Sequence, residues 1–70
     1  MITLVPVTSS NINTIGHDPI KNELLVQFKS GAIYVYAGVS AAIHEALMAA
    51  ESKGIFMNQQ IKGVFAFSKL

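Results

Sequence analysis

Two apolar runs, Glu23 to Phe28 and Ala32 to Tyr36, stand on either side of the short loop Lys29-Ser30-Gly31. Both read as strands, and Ala32 to Tyr36 is the better candidate, rich in aromatic and β-branched residues. Glycine in the third loop position can adopt the left-handed conformation and close a bulged hairpin. That turn sets Phe28 opposite Ala32, Val26 opposite Tyr34 and Leu24 opposite Tyr36. Because side chains alternate along a strand, all six then share one face. Leu25, Gln27, Ile33 and Val35 occupy the other, which is also fairly apolar. A two-residue Ser30-Gly31 turn would instead pair Phe28 with Ile33 and Val26 with Val35. The first register is preferred because it gathers Leu24, Val26, Phe28 and both tyrosines into one core face.

Upstream, Pro6 and Thr8-Ser9-Ser10 read as an opening loop, and Asn11 to His17 carries a weak strand signal. Asp18-Pro19 sets a turn between that segment and Glu23. Downstream, Ser40 is an N-cap for an alanine-rich stretch, Ala41 to Ser52, that lacks glycine and proline. Ile43, Leu47 and Ala50 form its apolar stripe, with Ala46 beside it and Glu45 and Glu51 off it. Gly54 ends this helix near its C′ position. A short second helix runs from about Phe56 to Ile61, with Met57 and Ile61 on one face. Val64 to Phe67 is a final extended segment. The expected fold is α+β: a small antiparallel sheet of about three strands, in β-β-β-α-α order, covered on one face by one long and one short helix.

Seventy residues make a single domain spanning 1–70. A hydrophobic fraction of 51% is enough for a genuine core. Net charge is +1, charged residues are 13% of the chain, and arginine is absent. That balance argues against a duplex DNA binder, which usually carries a strong basic patch. With no cysteine there is no disulfide, thiolate or zinc-finger chemistry. No apolar run approaches the length of a membrane span, and the N-terminus lacks the basic and apolar regions of a signal peptide. A cytoplasmic protein is the expectation.

Residues 52–63 mix the apolar anchors Met57 and Ile61 with a polar set, Ser52, Asn58 and Lys62. Together with Ser9-Ser10-Asn11-Ile12, Ile15-Gly16-His17-Asp18, Gly31, Tyr34, Tyr36, Val39, Leu47 and Gly54, they make the chain resemble a KTSC domain from about Val7 to Phe65. This family is named from a region at the C-terminal end of some lysyl-tRNA synthetases and also occurs as small stand-alone proteins. The resemblance brings no established activity. Through the synthetase connection it implies RNA, or an RNA-associated protein, as a partner. Lys62 stands where the family commonly has arginine. Lysine is a point charge and lacks the planar two-pronged donor geometry of a guanidinium.

Asn58 and Lys62, four residues apart, would face one side of a short helix. With Ser9, Ser10, Asn11 and Lys53 they form a candidate anion-binding set, in which lysine supplies charge and Asn and Ser supply hydrogen bonds. The plainer reading is structural: Ser52 and Asn58 cap helix ends, Ser9-Ser10-Asn11 stabilises a turn, and Lys62 is solvated. No catalytic pair is visible. His17 and His44 are the only histidines, and neither they nor Asp18 show the spacing of a triad or a metal site. No cofactor is expected. Tyr34 and Tyr36 invite comparison with a base-stacking platform, but the preferred register puts them under the helix. The leading expectation is a non-catalytic binding module. The rival is a protein-interaction or weakly dimerising module using Leu25, Ile33 and Val35 with Phe65 and Phe67.

Overall fold

Glycine at the β-turn decides the register as expected. In the structure, a computed structural model describing residues 3–70, Gly31 has φ +96°. Its amide donates to the Phe28 carbonyl at 2.9 Å, and the Phe28 amide donates to the Ala32 carbonyl at 2.9 Å. Strand β3 (Glu23–Phe28) therefore pairs with β4 (Ile33–Ala37) with Val26 opposite Tyr34 and Leu24 opposite Tyr36. The two-residue turn is ruled out.

Strand β2 (Ile12–Asp18) pairs with β3 through a bulge between Ile12 and Thr14. Ile12 and Ile15 are three apart, an odd spacing that would send them to opposite faces of a regular strand. The bulge adds the extra residue that lets both enter the core, where each is 0% exposed. The Asp18 carboxylate then accepts from the amides of Ile20 and Lys21, closing the turn into β3.

Two short strands extend the sheet beyond the three expected. β1 (Val5–Pro6) flanks β2, and β5 (Phe67–Lys69) flanks β4, giving an all-antiparallel order β1-β2-β3-β4-β5. The first falls where the sequence reads as an opening loop. The second starts only at the last residue of the extended segment expected over Val64 to Phe67, because Val64 and Phe65 belong to a turn and bend.

Helix α1 (Ala41–Ala49) begins at Ser40, whose hydroxyl accepts from the Ile43 amide. It ends earlier than the alanine pattern predicts. Ala50 is already extended, and the Lys53 ammonium donates to the Ala50 carbonyl at 3.3 Å. Ser52, placed at the end of this helix and read as a cap, does cap a helix, but the following one: it accepts from the Ile55 amide at the start of helix α2 (Lys53–Phe56). Gly54 consequently lies inside α2 and does not terminate α1. Helix α2 runs on into a π-helical turn (Met57–Ile61), closed by the Lys62 amide on the Met57 carbonyl at 2.7 Å. The break redirects the chain so that Met57 and Ile61 reach the core alongside Leu47.

The helices cover the face of the sheet that carries Leu24, Val26 and Tyr36, all buried. Tyr34 shares that face and is half-buried, beyond full helical cover. Leu25, Ile33 and Val35 lie on the opposite face, each half-buried. Phe65 and Phe67 do not join them. Phe65 packs against the core, and Phe67 pairs across strands with Tyr36 on the tyrosine face.

Candidate functional site

The β3–β4 turn, the loop before β2 and the end of the π-helical turn meet at one end of the sheet. They enclose a groove of about 420 Å³ lined by Ser10, Asn11, Phe28, Lys29, Ser30, Ala32, Tyr34 and Lys62. Its floor is aromatic: Phe28 and Tyr34 meet edge to face at 5.5 Å between ring centroids. Its rim is polar, with Ser10, Asn11, Lys29, Ser30 and Lys62 all exposed. The Lys62 ammonium lies 5.1 Å from the Phe28 ring centroid, a cation–π distance that holds the charge over the floor. No acidic side chain lines the groove. The carboxylates Asp18 and Glu23 face each other across β2 and β3 at the far end of the sheet.

The Ser9–Asn11 loop is built by local hydrogen bonds, which serine and asparagine favour in turns. The Ser9 hydroxyl donates to Asn11 Oδ1 at 3.1 Å and accepts from the amides of Asn11 and Ile12 at 3.4 and 3.3 Å. The loop is tied to the hairpin by the Lys29 amide donating to the Asn11 carbonyl at 2.9 Å. It also touches α2, because a Cβ at Gly54 would stand 3.0 Å from Asn11 Oδ1.

Of the six residues singled out from sequence, Ser10, Asn11 and Lys62 come together at this groove. Ser9 holds the loop behind them. Lys53 is engaged with the Ala50 carbonyl, and Asn58 is exposed on the π-helical turn, outside the groove lining. Lys62 is the C-cap of that turn, where the backbone becomes extended, and it lines the groove while Asn58 does not. The groove also takes in Phe28, Lys29 and Ser30, which sequence reasoning had assigned to the hairpin alone, and Tyr34, which it had placed under the helix. The register already put Phe28 and Tyr34 on one face beside that turn; the approach of Lys62 was the missing fact.

The histidines line a different groove, with Gly16, Asp18 and residues of the β2–β3 turn. His17 and His44 stack with centroids 5.0 Å apart and planes 10° from parallel. His17 Nε2 donates to the Val39 carbonyl at 2.6 Å, since a carbonyl can only accept. Burial, aided by the neighbouring His17, lowers the pKa of His44 from the usual histidine value, while Glu45 opposes the shift. Burial likewise raises the pKa of Tyr36 above the usual tyrosine value, with Tyr34 adding to it. Among the described residues, no three His, Cys, Asp or Glu side chains cluster as metal ligands, and no helix is long and apolar enough to cross a membrane.

Residues 8–65 match the KTSC domain. The chain belongs to the KTSC domain family. It is 42% identical over 60 residues to a protein of Tsukamurella paurometabola, covering 86% of this chain and 90% of that one. A lysine–tRNA ligase of a Nostoc species is 34% identical over 67 residues, covering 96% of this chain but only 12% of the ligase. The crystal structure of a KTSC domain protein from Yersinia pestis superimposes with a TM-score of 0.97 at 40% identity, covering 100% of this chain and 99% of that one. The KTSC fold thus occurs both as most of a small protein and as a minor part of a large one.

Proposed function

We propose that this chain is a non-catalytic binding module that contacts RNA in the cytoplasm through the phosphate backbone. The carrying observation is the convergence of Lys29, Lys62, Ser10, Asn11 and Ser30 on one groove with no acidic wall. Lysine ammonium groups make charge-assisted hydrogen bonds to phosphate, and hydroxyl and amide groups add neutral ones. Ser9 and Lys53 act behind this surface by holding the Asn11 loop and the α1–α2 junction, and Asn58 flanks it. The lysine–tRNA ligase relative supports an RNA context for the fold. Chemistry at the groove is disfavoured because Ser10 lines it while both histidines line another, so the most common general base is out of reach of its hydroxyl.

The test is titration of a labelled RNA oligomer with wild type and Lys62→Ala across a salt series. Affinity for single strands falls with salt by a slope of about 0.7 per phosphate contact. Lys62→Ala should weaken binding at low salt and reduce that slope by roughly this amount. Unchanged low-salt affinity overturns the proposal.

A second reading, self-association, is favoured by the sheet face that the helices leave uncovered, with Leu25, Ile33 and Val35 half-buried on it. It predicts a molecular mass that rises with concentration in sedimentation equilibrium. A constant monomer mass refutes it.

A further inference from the structure

The aromatic floor of the groove does not stop at Tyr34. The Tyr34 ring stacks on Phe67 of β5, with centroids 5.6 Å apart and planes 21° from parallel. Phe28, Tyr34 and Phe67 therefore form a continuous aromatic run from β3 across the sheet to its outer edge. Phe28 and Tyr34 are half-buried against the core, and the outer end is open. Phe67 is 59% exposed. Its exposure contrasts with Tyr36, its partner across the strands, which is 1% exposed.

Cations frame this run. Lys62 stands over Phe28, and Lys29 sits at the turn where β3 ends. Lys69 is paired with Tyr34 across β4 and β5, so it projects from the same face. Of five lysines in the chain, these three border the aromatic run; Glu23 adjoins the Leu24–Tyr36–Phe67 row but lies two strands from β5, and Asp18 lies three strands away. An exposed aromatic bordered by lysines, on strands β4 and β5 that carry no acid, suits a polyanion that also presents planar faces. Duplexes hide their base faces within the stack, whereas single strands expose them.

We infer that the Tyr34–Phe67 edge stacks a base of single-stranded RNA whose phosphates follow Lys29, Lys62 and Lys69. The inference rests on the phosphate-binding reading and goes beyond it by giving the ligand a base-stacking contact. Stacking is tolerant of base identity because every base has a π face. The expected ligand is therefore an unpaired strand of any sequence.

The deciding experiment compares two labelled oligomers of equal length and phosphate count, one an unstructured uridine oligomer and the other abasic, by fluorescence anisotropy. Wild type should bind the uridine oligomer about tenfold more tightly than the abasic one, in line with a single stacked base. Phe67→Ala should bring the two affinities together and leave the salt slope unchanged. Lys29→Ala and Lys62→Ala should weaken both oligomers equally and flatten the slope. Equal affinity of wild type for the two oligomers overturns the stacking inference and leaves the phosphate reading standing. Binding to neither overturns both. Phe67→Ala that folds, as judged by circular dichroism, and still discriminates also overturns the inference. If that variant does not fold, Phe67→Trp serves in its place. Its emission should be quenched by the uridine oligomer and not by the abasic one, and the lack of such a difference refutes base contact at this edge.

Discussion

Gly54→Ala isolates the contact that joins the Asn11 loop to helix α2. Two effects oppose each other. Alanine is favoured over glycine within a helix by up to about 1 kcal/mol, which would stabilise α2. The added Cβ, however, would lie 3.0 Å from Asn11 Oδ1, where ordinary contact begins at 3.4 Å. Asn11 must then move by a few tenths of an ångström, and its freedom to do so decides the sign. That freedom is small. Asn11 Oδ1 accepts from Ser9 Oγ, and the same hydroxyl accepts from the amide of Ile12, a residue 0% exposed in the core. Displacing Asn11 therefore disturbs a linked set of hydrogen bonds, each with a net contribution of roughly 0.5–1.5 kcal/mol. Gly54→Ala should destabilise the wild type by about 1 kcal/mol, a fall of roughly 4–8 °C in Tm for a domain of this size. In an Asn11→Ala background the obstruction is gone and the same change should stabilise by some tenths of a kcal/mol. Urea melts of all four proteins would give a coupling energy of about 1–2 kcal/mol, within the range for residues in contact. A stabilising Gly54→Ala in wild type, or a cycle additive within about 0.5 kcal/mol, would refute the argument that this loop is held rigidly against α2.

Three further outcomes are expected. Leu47→Ala removes the one buried side chain of α1 and should cost about 2–5 kcal/mol, a large share of the roughly 0.05–0.15 kcal/mol per residue that domains retain; a Tm within a few degrees of wild type would contradict this. The lowered pKa of His44 means that the unfolded chain binds more protons than the folded one below the ordinary histidine range, so stability should be full at neutral pH, fall as pH drops through about 6.5, and level off once the folded form is also protonated. His44→Phe should flatten this profile in urea melts between about pH 7 and 5, and an identical slope in the variant would dismiss the stacked pair as its source. Tyr36, whose pKa burial raises, stays protonated in the fold where the unfolded chain ionises, so stability should decline as pH rises past about 10; tyrosinate absorbance should show Tyr36 ionising above that value, and at a lower pH in Tyr34→Phe than in wild type.

The hairpin and the core were legible in the sequence because each rested on a local rule. Gly31 dictated the turn, the turn dictated the register, and the register assigned Leu24, Val26 and Tyr36 to one face. The end of α1 was not legible. Alanine propensity favours continuing the helix, but Ser52 is held to the following segment and the break allows Met57 and Ile61 to dock. Tertiary packing thus overruled a local preference. The candidate groove was half legible for a similar reason. Ser10, Asn11 and Lys62 could be selected by chemistry, whereas their meeting with Lys29 and Ser30 depends on how far α2 and its π-helical turn carry the chain back toward the hairpin. Asn58 shows the limit of selecting by spacing: Lys62, four residues on, lines the groove, and Asn58 is exposed outside its lining.

The absence of arginine limits what any nucleic-acid contact by this surface can achieve. Base-specific recognition commonly relies on two-pronged donors, and arginine against guanine is its most frequent form. Lysine delivers charge without that planar fork. Lys62 moreover directs part of its interaction toward the Phe28 ring at 5.1 Å, which positions the ammonium but leaves its remaining hydrogens to phosphate or water. Phe67 adds a face that accepts any base. Point charges and an aromatic face both give affinity with little sequence preference, so the RNA-binding reading carries a sharp corollary: affinity should vary strongly with salt and with strand pairing, and weakly with sequence. Discrimination of a hundredfold or more between unstructured oligomers of equal length would require a readout that these side chains do not supply.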